Sequence, residues 1–327
     1  MRRLLLLLLK AATSTFLLYI SLRSVNLEAL GARLSHLNPF WIAAALIVQA
    51  VQVGIQAFRW REIAIACGAQ LTSRMALRIN FIAQFFNQVL PSTIGGDAAR
   101  IWLLARVGGG WARATYSVLI DRLAGIFALA LIVILCLPWT LTIVADPVAR
   151  AILLLISAAA IGGFFFFIGI GVVRLPLLTR WAPTRHLVEV SQIVWRLCRS
   201  WHALGFVGIL SLAVHAMSVA SAWCLVQSVA ASASFFLLLF IIPPVILIAT
   251  VPVSIAGWGL REGSMIVAFS YAGLAAGDGL SVSVLIGITA LVTGATGGIV
   301  WIQSDVRLAA NGSIPPPPTP DQCEPIG

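Results

Sequence analysis

The chain has 327 residues, 60% of them hydrophobic and only 10% charged, with a net charge of +10 and a mean hydropathy of +1.02. A soluble domain carries roughly 25% charged residues, so this supply cannot build a water-facing surface. The positive charge is almost wholly arginine, set mostly in short segments between apolar runs, which excludes a nucleic-acid surface and marks topology and lipid-headgroup contact instead.

The apolar runs are long rather than alternating every second residue, which specifies helices in lipid over a barrel. The first run, 4–22, follows Arg2 and Arg3. Its length, its Lys10 and the lack of a small-x-small site before Arg23 favour a retained helix over a signal peptide. Further runs lie at 39–58, 115–143, 150–173, 203–229, 235–252, 263–277 and 281–302, giving about eight spans, of which 263–277 is the shortest. The fold expected is therefore all-α and polytopic. Segments 59–78, 98–114 and 174–200 are rich in arginine, whereas 229–235 and 277–281 hold no basic residue. A cytoplasmic amino terminus puts all three arginine-rich segments inside, together with the carboxyl end.

Two stretches differ from ordinary connections. Within 183–200, Leu187, Val190, Val194 and Leu197 fall on one stripe, with Arg196 and Arg199 away from it, as in a helix lying at the membrane interface. The stretch 76–90 is apolar but carries Asn80, Gln84, Asn87 and Gln88 and ends at Pro91, which fits a re-entrant half-helix facing a cavity. Residues 1–310 form the expected transmembrane domain. The remainder, 311–327, with Pro315 to Pro318 in a row, is expected to be a disordered tail. The scattered cysteines and histidines show no ligand spacing, so neither metal nor cofactor is expected, and there is no phosphate-binding G-x-x-x-x-G-K-[ST].

The chemistry concentrates in Leu90 to Arg100, L-P-S-T-I-G-G-D-A-A-R. Pro91 ends one helical piece, Gly95 and Gly96 open the backbone, and Asp97 falls where a new helix starts, one turn before Arg100. Asp97 is expected to cap that helix and pair with Arg100; an ordinary capped break at the membrane surface is the plainer alternative. A second segment, Val251 to Gly263, repeats P-x-x-I-x-G-x-x-x-R: Pro91, Ile94, Gly96 and Arg100 match Pro252, Ile255, Gly257 and Arg261. Copies about half a chain apart point to an internal duplication whose broken helices meet around a substrate.

Asp121, Arg122 and Gly125 stand inside a long apolar run, and Glu262 adjoins Arg261. A charge at mid-depth costs roughly 2.5–3.5 kcal/mol on insertion scales, so such groups persist when paired or facing a polar cavity. Either these pairs staple helices together, or Arg100 and Arg261 hold the phosphate of a lipid headgroup, with Asp97, Asp121 and Glu262 as counter-ions.

Three motifs occur in order: F-x-x-Q-x-x-P-S-x-x-G-G-D-x-x-R ending at Arg100, D-R-x-x-G from Asp121, and P-x-S-x-x-G-x-G-x-R-E-G ending at Gly263. Together they resemble the lysylphosphatidylglycerol synthase transmembrane-region family, also called flippase-like, over roughly residues 4–305. In bifunctional members the region is similar to a flippase for aminoacylated phosphatidylglycerol and precedes a cytoplasmic aminoacyl-transferase domain. This chain stops at Gly327 with no such domain, so a stand-alone member without synthase activity is expected. Stand-alone relatives occur beside genes for glycolipid, polyprenyl-phosphate and hopanoid pathways, which implies a separate lipid-synthesising enzyme as partner.

The resemblance thus implies translocation of a lipid across the bacterial inner membrane. The expected substrate contacts are Gln84, Gln88, Pro91, Ser92, Gly95, Gly96, Asp97, Arg100, Asp121, Arg122, Gly257, Arg261 and Glu262. Two rivals stand beside it. One is a membrane glycosyltransferase or lipid-modifying transferase with Asp97 or Asp121 as base, although no D-x-D and no sizeable aqueous domain is present. The other is an accessory scaffold of a lipid or hopanoid pathway.

Overall fold

The computed structural model describes residues 37–90, 94–144, 146–172, 182–250 and 259–303. Among these the chain forms ten α-helices, one π-helical turn and no strand. The helices are α1 (Pro39–Ala66), α2 (Ser73–Val89), α3 (Gly95–Leu104), α4 (Trp111–Ile143) and α5 (Pro147–Val172). They continue with α6 (Ala182–Arg199), α7 (Trp201–Ser228), α8 (Phe235–Ala249), α9 (Leu260–Tyr271) and α10 (Ala276–Gln303); the π turn, Ala105–Gly109, joins α3 to α4.

Local chemistry sets several starts. Asn38, Thr72, Ser200 and Ser234 each accept a hydrogen bond from an orphan backbone N–H of the first turn, and Pro39 occupies the first position of α1, where no N–H is needed. Trp111 and Trp201, exposed at the first residues of α4 and α7, suit the headgroup level of a bilayer.

Helices α1, α4, α5, α7 and α10 are long and apolar enough to cross a membrane by length and composition. Leu155, Phe165 and Phe166 of α5 point outward, as in a helix solvated by lipid tails. The eight expected spans are not all realised among the described residues. The runs 235–252 and 263–277 yield α8 and α9, of 15 and 12 residues, below the roughly 20 needed to span the hydrocarbon core. The expected helix at 4–22 and the proline-rich tail lie outside the described residues.

Helix α1 is the centre of the bundle and packs on α2, α4, α7 and α10. It also runs further than expected: rather than giving way to a loop at Arg59, it continues to Ala66 and buries Arg59, Trp60 and Ile63. Trp60 joins Ile79, Ile82, Leu103 and Leu104 in one core, while Leu225, Leu238, Met265 and Phe269 form another between α7, α8 and α9.

Helix α2 is a 17-residue piece ending at Val89, the short amide-bearing helix the sequence predicts. It lies against α10 at very close range: a Cβ on Gly297 would stand 1.9 Å from the carbonyl oxygen of Phe81. Small residues bring backbones together in this way where lipid supplies no hydrophobic drive. Helix α6 docks on protein through Val190, Ile193 and Val194, which pack with Ile63 and Ile120. Leu187 of the expected stripe is exposed instead, and Ile193 takes its place in the buried face.

Candidate functional site

Along α1, Gln49, Gln52, Gln56 and Arg59 recur at helical spacing and make one polar stripe on an apolar helix. At its end, Arg59 Nε donates to Asp121 Oδ1 at 2.8 Å and Nη1 to Ser211 Oγ at 3.3 Å. The other oxygen of Asp121 accepts from Arg100 Nη2 at 2.8 Å. Arg100 Nη1 lies 3.5 Å from Asp97 Oδ1, and Asp97 Oδ2 accepts from Arg122 Nε at 2.6 Å. Arg59, Asp121, Arg100, Asp97 and Arg122 therefore form one chain of alternating charge across α1, α3 and α4.

Burial grades this chain. Arg59, Asp97, Arg100 and Asp121 are buried, whereas the side chain of Arg122 is 48% exposed. Arg100 also lies over the ring of Trp60, 4.4 Å from its centroid, and Trp60 Nε1 donates to Ser117 Oγ at 3.1 Å. Three guanidinium groups share two carboxylates, so the linked chain carries one positive charge beyond its counter-ions.

A second cluster opens α9. Glu262 is fully buried; its Oε2 accepts from the backbone N–H of Gly259 at 2.6 Å, where the backbone angle φ of 87° favours glycine. Its Oε1 accepts from Arg261 Nη2 at 2.7 Å and from Ser283 Oγ at 3.0 Å. This pair is electrically balanced.

Both clusters border one cavity of about 800 Å³. Ile94 and Asp97 reach it from α3, Ala249 and Thr250 from the end of α8, and Arg261 and Met265 from α9. The start of α3, the end of α8 and the start of α9 thus border a single space. A separate groove of about 390 Å³ lies on the opposite face of α4, walled by Leu123, Phe127, Phe164 and their neighbours. Ser211 is its one polar wall residue among the described residues, and it contains none of the paired charges.

Of the sequence-predicted residues, Gln84, Gln88, Asp97, Arg122 and Arg261 line the larger cavity. Arg100, Asp121 and Glu262 do not; they are buried behind it and hold the others. Gly95 and Gly96 press against α2, where a Cβ on Gly96 would fall 2.5 Å from the carbonyl oxygen of Ala83, and the Gly96 N–H donates to Asn87 Oδ1 at 2.8 Å. Pro91, Ser92 and Gly257 lie outside the described residues.

One expectation is corrected. Asp97 is not the cap of α3: Ile94 holds that place without a side-chain bond, and Asp97 is the third helical residue, its carboxylate turned to Arg100 and Arg122. The motif match sets Arg100 against Arg261, yet the helix starts at Gly95 and Leu260 are four residues further apart than the motifs. Asp97 and Glu262 are each third in its helix, and both meet the positive end of a helix dipole. The expected site lacks Arg59 because the apolar run 39–58 ends one residue before it. The stripe Gln49, Gln52, Gln56 and Arg59 is the signal that would have found it.

The sequence profile of the family described as Lysylphosphatidylglycerol synthase TM region matches residues 7–298. No protein of curated function matches the chain.

Proposed function

This chain belongs to the lysylphosphatidylglycerol synthase transmembrane-region family, and from that premise we propose that it carries a phosphate-bearing lipid between the leaflets of the bacterial inner membrane. The observation that supports this is the half-exposed Arg122 on the cavity wall, at the open end of a buried chain with one more guanidinium than carboxylates. A fixed, partly desolvated positive charge favours an anion. Arg122 and Arg261 hold the phosphate oxygens, Asp97 and Glu262 fix those guanidinium groups in place, and Arg100 acts as a positioning residue between Asp97 and Asp121. The headgroup occupies the cavity while its tails remain in lipid. Both termini are proposed to be cytoplasmic, following the arginine-rich segments.

The test is reconstitution of the purified protein into liposomes with fluorescent phospholipids, followed by quenching of the outer leaflet. Transfer of an anionic phospholipid above empty vesicles, lost in Arg122→Ala, is expected. Transfer equal to empty vesicles for every phosphate-bearing lipid tried overturns the proposal.

A further inference from the structure

The cavity that holds these two arginines has an unusual wall for a site among membrane helices. Six carboxamide side chains line it: Gln49, Gln52 and Gln56 from α1, and Gln84, Asn87 and Gln88 from α2. Three are held rigid. Gln49 Nε2 donates to Thr289 Oγ1 at 2.7 Å, and its Oε1 accepts from Thr293 at 3.1 Å. Gln52 Nε2 donates to Ser218 Oγ at 2.7 Å, and Asn87 accepts from Gly96. The other three, Gln56, Gln84 and Gln88, make no side-chain hydrogen bond among the described residues.

Three carboxamides without a protein partner facing one space among apolar helices call for a polar occupant. Each carboxamide offers two N–H donors and a carbonyl acceptor, which matches hydroxyl groups, themselves both donor and acceptor. An ammonium group only donates, so it leaves the carboxamide N–H groups unmatched, and a carboxylate holds it best. Asp97 is the one carboxylate on the wall among the described residues, and both its oxygens are already engaged by Arg100 and Arg122.

Resting on the lipid assignment above, we infer that the headgroup is a hydroxyl-rich phosphodiester without positive charge, of the glycerol, cyclic polyol or sugar class. Arg122 and Arg261 take the phosphate, and Gln56, Gln84 and Gln88 read the hydroxyl groups beyond it. A headgroup esterified with a lysyl residue, which adds ammonium charge beside two arginines, is rejected.

The test is equilibrium binding to the purified full chain in detergent, with short-chain phosphatidylinositol, phosphatidylglycerol, phosphatidic acid and lysylphosphatidylglycerol, and with soluble inositol phosphate. Phosphatidylinositol and phosphatidylglycerol are expected to bind at least about tenfold more tightly than phosphatidic acid or the lysyl lipid. The double variant Gln56→Leu, Gln84→Leu is expected to lower phosphatidylinositol to the level of phosphatidic acid and to leave phosphatidic acid unchanged. Lysylphosphatidylglycerol binding as well as phosphatidylglycerol, or phosphatidic acid as well as phosphatidylinositol, overturns the headgroup assignment. Soluble inositol phosphate binding as tightly as the lipid overturns the lipid as its carrier. The selectivity without any vesicle transfer leaves this assignment standing and removes transport alone.

Discussion

Asp97 and Arg122, 25 residues apart in sequence, meet at 2.6 Å where a buried ion network opens onto the cavity. On one side of that contact every charge is sealed between helices; on the other a guanidinium is half exposed. Binding and stability should therefore separate along this chain of residues.

Arg122→Ala should leave the fold nearly intact, since its guanidinium is half exposed, where an ion pair contributes about 0–1 kcal/mol, and buried Asp97 keeps Arg100 as counter-ion. Loss of a charge-assisted contact to phosphate should still weaken anionic lipid binding by roughly tenfold or more. Titration of the variant with phosphatidylglycerol, beside its thermal unfolding curve, checks both halves. A large fall in melting temperature with unchanged affinity would assign Arg122 to the scaffold.

Asp121→Asn should do the opposite. It removes the carboxylate shared by Arg59 and Arg100, leaving buried Arg59 without a counter-ion and Arg100 with Asp97 alone. Breaking a buried pair in this way costs about 3–5 kcal/mol, to be read as early unfolding by tryptophan fluorescence in detergent. Adding Arg59→Leu should cost less than the two single effects summed, because the residues belong to one network.

Gly297→Ala should push α2 away from α10, because the new methyl would land 1.9 Å from the Phe81 carbonyl oxygen. Overpacking of this kind costs about 1–3 kcal/mol. Gly162→Ala is the control: its added Cβ meets nothing within 4 Å, and alanine favours a helix interior. Equal melting temperatures for the two variants would refute the close approach.

Cys67, just past the end of α1, has its thiol pushed up to about 12 by burial, against the opposing charge of Arg196. Burial raises the Cys198 thiol as well. Only the thiolate attacks maleimide, so labelling of Cys67 should be slow at neutral pH and climb about tenfold per pH unit well beyond pH 9. Mass spectrometry of adducts at stepped pH follows this; a plateau near pH 9 would contradict it.

Much of this arrangement is legible in the sequence. Unbroken apolar runs announce α1, α4, α5, α7 and α10, and the amides of 76–90 announce a helix that faces something other than lipid. Asp97, Arg122 and Arg261 could be singled out because isolated charges in apolar surroundings need partners. Which partner each finds is a matter of packing across distant helices. Arg59 reaches Asp121 only because α1 lies beside α4, and Arg100 turns inward only because Trp60 and Asp121 receive it. Nor does motif spacing fix a helix start: α9 begins four residues later, relative to its motif, than α3 does.

The uneven tally of three arginines to two aspartates has an electrical consequence. A site filled by one phosphodiester is neutral, so on the proposed mechanism the loaded state feels no net force from the membrane potential. The empty site keeps its unit charge, and moving that charge through the full field involves about 2.3 kcal/mol per 100 mV. On that proposal, voltage acts on the empty site and not on the loaded one.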